Sequence, residues 1–349
     1  MRTFRTVLTH TALAALLLVS PSVNAQTGDA APATPVRTEP ASPPADIVDL
    51  DSVTVTGAQP GPGLWRVSKG DHDLWILGVL SPLPNGITWN ADEITELVGR
   101  SQEVLWRPMF VVGAEVGFFR KISLGYGMLR AEKNPGGGTL ADVLSPELYA
   151  RWAEARQRYL PKERGLERSR PMVAAETLFS AAIRDAGLER PKLINPPILA
   201  AIKANEIKET RPKVTVTIAD PAGAIRDVRR MSLNDSACLE ATLDAIEQVL
   251  PRMVTNGNAW ATGDLERISF DQLERRNNTC ADVFSNAEFS RKWGIPDIRT
   301  SLRAEWLKAA ETALATNATS FAVLPLEDVV GPMGYAARLG AMGYEVDAP

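Results

Sequence analysis

Histidine is almost missing from this chain. Of 349 residues only His10 and His72 carry an imidazole, and His10 sits in the N-terminal segment just ahead of the first apolar run. A serine or cysteine nucleophile needs a nearby base, and a two-histidine metal centre needs two neutral imidazoles. Once the N-terminal stretch is removed, the two-histidine centre cannot be assembled, and His72 is the one imidazole left to serve a nucleophile. Cysteine is as scarce, with Cys238 and Cys280 alone. The 38 basic and 42 acidic side chains leave a net charge of −4, and the basic ones are scattered along the sequence, so no nucleic-acid partner is expected. Past the first 25 residues no window approaches the roughly 18–20 apolar residues of a membrane-spanning helix. No repeat of about 20–50 residues is visible, which excludes a solenoid.

What is present begins with Arg2 and Arg5, an apolar run from Ala12 to Val19, and the small-residue end Val23-Asn24-Ala25. This is the pattern of a secretory signal peptide over residues 1–25, cleaved after Ala25, with a retained N-terminal anchor as the alternative. Residues 26–62 form a Pro/Ala-rich linker with six prolines up to Pro60 and no helical period. Within it, Val53–Gly57 has the composition of a short strand. The expectation is a periplasmic or secreted protein whose folded domain spans residues 63–349.

In an oxidising compartment two cysteines default to a disulfide, here closing a loop of about 40 residues and worth roughly 4 kcal/mol on chain entropy. A catalytic cysteine is the competing reading, and only His72 could serve it as a base. His72 itself reads as an exposed residue of a polar turn.

The folded part opens with Leu64-Trp65-Arg66-Val67 and Leu74-Trp75-Ile76-Leu77 around Gly70-Asp71, a β-hairpin. Its second strand ends at Ser81 and spills into Pro82-Leu83-Pro84-Asn85-Gly86. Asn90-Ala91-Asp92-Glu93 predicts a capping box and a helix to about Arg100, followed by a strand over Glu103–Trp106. Ser145-Pro146 opens a helix to about Tyr159, Pro171 one to Gly187, and Pro197 one to Asn205. A strand is expected over Val214–Ile218. Long helices are expected over Ser236–Met253, Asp264–Asn277 and Leu302–Ala315, then a strand over Phe321–Leu324, a helix near Gly334–Ala341 and a last strand over Tyr344–Val346. That order predicts an α/β (α+β) fold: a central mixed β-sheet with an N-terminal hairpin and a large helical insertion, its site built from loops at strand ends.

The landmarks resemble the TraB/GumN superfamily, which includes the TIKI metalloproteases and is distantly similar to ChaN and erythromycin esterase. The resemblance covers Gly63 to Pro349. It rests on Leu64-Trp65-Arg66-Val67, Leu74 to Ser81, Leu83-Pro84 and Trp89. Further along it rests on Asn258-Ala259-Trp260-Ala261-Thr262-Gly263-Asp264-Leu265, Arg276-Asn277, Phe321 to Val329, Gly331-Pro332-Met333-Gly334 and Gly343-Tyr344-Glu345-Val346. The resemblance implies two GxxH motifs and a glutamate holding a divalent metal that activates water. Here Ser81 stands at the first histidine position, Trp106 at the glutamate position and Asp328 at the second histidine position. All three ligands are replaced, and an indole fills space that an ion and its water need. The expectation is therefore a degenerate, non-catalytic relative of metal-dependent hydrolases that has lost its metal and needs no cofactor. It would bind a cell-envelope ligand, peptide or polysaccharide, or serve structurally.

Candidate binding residues are Arg276, Asn277, Arg107 and Glu327. Arg276 either grips an anion or forms a structural salt bridge, and Arg107 carries the same ambiguity. Asp328 and Glu327, with Asp220, are read either as oxygen ligands of a hard cation or as helix caps. Ser81 is a weak nucleophile candidate without a base or a Gly-x-Ser-x-Gly elbow. Trp75, Trp89 and Trp106 would offer an aromatic face or simply fill the core. Gly136-Gly137-Gly138 lacks a following Lys-Ser/Thr and reads as a flexible loop. The alternatives to the binding role are a hydrolase rebuilt on Asp328, Glu327, Arg276 and Ser81, and an accessory of envelope polysaccharide production.

Overall fold

The hairpin forms where the turn chemistry puts it. Strand β1 (Leu64–Lys69) pairs antiparallel with β2 (His72–Val79) across Gly70, whose φ of 65° suits a residue without a Cβ. A computed structural model supplies this description. It covers residues 60–349 except 114–126, 190–194, 232, 234, 270, 284–286 and 332, so the expected signal peptide and the strand at Val53–Gly57 lie outside the described residues, as does all but the end of the linker.

The other strands are β3 (Leu83–Pro84), β4 (Glu103–Trp106), β5 (Met109–Gly113), β6 (Leu188–Glu189), β7 (Lys208–Thr210), β8 (Lys213–Thr217), β9 (Thr319–Pro325) and β10 (Glu345–Asp347). Six make the central sheet in the order β10-β1-β2-β9-β4-β7. The β10, β1 and β2 side is antiparallel, whereas β2, β9, β4 and β7 all run the same way. The fold is thus the mixed α+β architecture the sequence predicts. Its middle strands are the most apolar: Leu74, Ile76 and Leu77 of β2 and Phe321 and Ala322 of β9 are fully buried.

Helix signals hold where a cap or proline sets them. Ser145 accepts from the Leu148 amide at 3.2 Å and Pro146 takes the first position of Pro146–Tyr159. The helix Asp92–Arg100 starts as expected, but no capping box forms, because Asn90 Oδ1 takes the Asp92 amide instead. The helix predicted over Ser236–Met253 stops at Gln248, since Pro251 can neither donate to the ladder nor avoid the carbonyl four residues back; a 3-10 turn Leu250–Arg252 leads into a separate helix, Met253–Ala261. Asp264–Asn277 likewise divides into a 3-10 turn at Leu265–Arg267 and the helix Asp271–Asp282. Asn256 holds the break by donating to the Ser269 carbonyl at 2.7 Å. The strand expected near Val214 exists, but outside the central sheet: it pairs in parallel with β5. His72 is also not an exposed turn residue. It begins β2, half-buried, with Nδ1 2.6 Å from the Leu314 carbonyl.

Cys238 and Cys280 are bonded, with Cα atoms 4.6 Å apart, joining the helices Ser236–Gln248 and Asp271–Asp282. No helix among the described residues is long and apolar enough to cross a membrane.

Candidate functional site

Four parallel strands ending at one edge of a sheet put their following residues side by side, which is where α/β folds collect ligands. Here β2 ends at Val79, β4 at Trp106, β7 at Thr210 and β9 at Pro325. Ser81, Trp106, Arg107, Arg211 and Glu327, at or just past those ends, line one cleft of about 660 Å³. Its opposite wall comes from the helix Pro171–Asp185, through Glu176, Phe179 and Ile183, and from Asp271–Asp282, through Leu273, Arg276 and Asn277. The candidates Arg107, Arg276, Asn277 and Glu327 therefore meet.

The exit of β2 is fixed by a close approach. A Cβ on Gly78 would lie 2.7 Å from Leu326 Cδ1 and 2.9 Å from the Trp65 ring, so only glycine lets β2 pass. The Gly78 carbonyl accepts from Trp260 Nε1 at 2.7 Å, and Trp260 packs on Trp89 with ring centroids 5.8 Å apart. Trp89 and Trp75 consequently serve packing, Trp75 against Arg66. Of the three proposed aromatic platforms only Trp106 faces the cleft.

Trp106 is held from two sides. Its Nε1 donates to Glu209 Oε2 at 2.8 Å, and the Arg211 guanidinium, itself 2.8 Å from the same carboxylate, lies 4.7 Å over the ring. Arg276 is tied down as firmly. It is buried, donates to Glu176 Oε2 at 2.6 Å, Asn277 Oδ1 at 3.1 Å and Thr242 Oγ1 at 3.2 Å, and stacks 3.9 Å over Phe179. Asn277 Nδ2 reaches Glu327 Oε1 at 3.5 Å. Burial pushes the Glu327 carboxyl up to about 7, with Asp328 and Glu274 adding repulsion and Arg107 opposing. Arg107 is exposed, and among the described residues no carboxylate pairs with it.

Asp328 goes elsewhere. Successive residues of the short helix Leu326–Val329 point about 100° apart, so Glu327 enters the cleft while Asp328 lines a neighbouring hollow with Arg299, Arg303 and Tyr335. Arg107 borders both. Desolvation by the surrounding side chains raises the Asp328 pKa against the pull of Arg303 and Arg107, but much of the residue stays open to solvent, and water discounts that shift. Asp220 is in neither place. It caps the helix Pro221–Arg230, accepting from the Gly223 amide at 2.9 Å, so the acidic set of Asp220, Glu327 and Asp328 does not form. Among the described residues no group of three or more His, Cys, Asp or Glu side chains is placed to share an ion.

Glu176 and Arg211 escaped the sequence reading. Arg211 follows a strand end as Arg107 does, a usable signal had β7 been recognised. Glu176 gives none, being a polar position in an alanine-rich helix.

A model of the TraB/PrgY/gumN family matches residues 63–348. No curated protein and no solved structure gives a significant match.

Proposed function

Because the chain belongs to the TraB/PrgY/gumN family, we propose that it is an exported cell-envelope protein whose cleft recognises a carboxylate-ended ligand with an apolar body, a peptide C-terminus being the simplest, in place of the metal hydrolysis that the resemblance implies. The observation carrying this reading is Trp106, locked by Glu209 and Arg211 at the family's glutamate position. With a hydroxyl at Ser81 and with Asp328 opening on another hollow, the three positions offer no imidazole and no converging carboxylates, so the residues do not fit a divalent ion. The cleft's remaining groups suit recognition. Arg107, with which no carboxylate among the described residues pairs, supplies a cation, a protonated Glu327 can donate to a carboxylate or carbonyl, and Val79, Phe179, Ile183 and Leu199 give an apolar lining.

The test uses purified mature protein in calorimetry against peptides with free or amidated C-termini. Binding of the free acid, weakened at least tenfold by amidation or by Arg107→Ala, is expected, along with no stoichiometric heat from Mn, Co or Zn. Stoichiometric metal binding overturns the reading. A second reading has one observation in its favour: a carboxyl titrating near 7 is suited to proton transfer at neutral pH, so Glu327 would serve a rebuilt hydrolase. Ester or peptide hydrolysis abolished by Glu327→Gln selects it.

A further inference from the structure

We propose that a second hollow, remote in sequence from the strand-end cleft, is a binding site for phosphate-bearing anions. Five of the 38 basic residues that look scattered along the chain converge in one place. Arg130 and Lys133, from one segment, and Arg226, Arg229 and Arg230, from the helix Pro221–Arg230, line a cavity of about 620 Å³ closed by the loop Asn134–Gly137. None of the lining side chains is acidic.

Arginines in a last helical turn complement the helix dipole, and a row of them is ordinarily a solvated face. That accounts for Arg229 and Arg230, but not for Arg130 and Lys133 meeting them across the hollow. It also leaves their charge uncompensated. The helix's own carboxylates are engaged elsewhere: Asp227 by Lys292 Nζ at 2.6 Å and Trp293 Nε1 at 3.1 Å, and Asp220 as a cap that also reaches Arg226, at 3.4 Å. Among the described residues no carboxylate pairs with Arg130, Arg229 or Arg230. Lys133 is steered by neutral oxygens, the Gly165 carbonyl at 3.3 Å and Ser169 Oγ at 3.1 Å, which position the ammonium without neutralising it.

Like charges gathered without counter-charge repel, and an anion between them relieves that repulsion. Guanidinium forks match phosphate oxygens bidentately, and a lysine adds a point charge. Gly136 and Gly137, with φ of 72° and 77°, leave the loop wall bare: nothing lies within 4 Å of a Cβ built on either, so an anion can approach the backbone. The volume exceeds a single phosphate and leaves room for a ligand with two phosphoryl groups. A soluble phosphoester and a phospholipid headgroup present the same chemistry.

The experiment titrates the whole protein with inorganic pyrophosphate by calorimetry. In parallel, it sediments the protein with phosphatidylglycerol/phosphatidylcholine vesicles and with pure phosphatidylcholine vesicles, at about 0.15 M salt, where screening removes charge effects beyond about 8 Å. Pyrophosphate binding that falls at least tenfold in Arg130→Ala/Arg229→Ala/Arg230→Ala supports a soluble ligand. Retention on anionic vesicles only, lost in the same variant and competed by pyrophosphate, supports a headgroup. The three arginines are exposed and pair with no carboxylate among the described residues, so the variant should keep its thermal midpoint; Arg229→Glu alone provides a second probe if it does not. Absence of binding to both probes overturns the proposal. So does equal binding by the variants, displacement by chloride at matched ionic strength, or vesicle binding that pyrophosphate leaves untouched.

Discussion

Replacing Arg276 by alanine tests how the cleft wall is held. The substitution removes a buried guanidinium that donates to Glu176, Asn277 and Thr242 and stacks on Phe179. Breaking a fully buried pair costs about 3–5 kcal/mol because the surviving charge is stranded. Glu176 is not stranded, since its side chain is 52% exposed and regains water, which places the loss at the lower end. Thr242 still donates to the Cys238 carbonyl at 2.7 Å. The stacking adds about 1 kcal/mol, and the contributions overlap. The expected destabilisation is about 3 kcal/mol, or about 6 °C in thermal midpoint for a folded part of this size. Urea unfolding followed by tryptophan fluorescence measures it, with Arg276→Lys, which keeps charge but loses the fork, recovering about half. An alanine variant within about 0.5 kcal/mol of the parent would refute the assignment of Arg276 as the wall's anchor.

Glu327→Gln should change how stability depends on pH. The folded-state pKa near 7 lies above the ordinary carboxylate value, so the folded protein binds the extra proton and stability falls as pH rises from about 4.5 through 7. The variant should flatten that slope and be the more stable protein at pH 8 but not at pH 4; scanning calorimetry at both values decides. Gly78→Ala drives a methyl into Leu326 and Trp65, costing about 1–3 kcal/mol as overpacking does, and a neutral effect in urea unfolding would mean the β2 exit is less tight than described. Trp106→Ala removes the ring between Glu209 and Arg211 and should open the cleft, measurable in calorimetry as ligand affinity reduced at least tenfold.

The parts of the fold visible in the sequence are those that local rules control. Alternating apolar residues and a Gly-Asp turn specify the hairpin, a continuous apolar run specifies β9, and Ser145-Pro146 specifies a helix start. The misjudged boundaries lie where one residue overrides a periodic pattern, as Pro251 does, or where a distant side chain holds a break, as Asn256 does. Pairing partners are not periodic at all, so β8 was recognisable as a strand but not as a partner of β5. The cleft was half visible. Strand ends and the Arg276-Asn277 element brought Ser81, Arg107 and Glu327 under suspicion. Spacing along the chain could not tell which of Glu327 and Asp328 turns inward, nor that Arg276 is committed to Glu176.

The disulfide carries a mechanical consequence. Residues 238–280 form a closed covalent ring, and that ring contains both Trp260, which clasps the Gly78 carbonyl at the end of β2, and Arg276, which anchors the cleft wall one helical turn from Cys280. The clasp on the end of β2 and the cleft wall are therefore two points on one hoop rather than two independently hinged parts. A ligand that pushes on the wall pulls on the end of β2, and cutting the hoop by reduction would let the cleft splay while the central sheet keeps its hydrogen bonds.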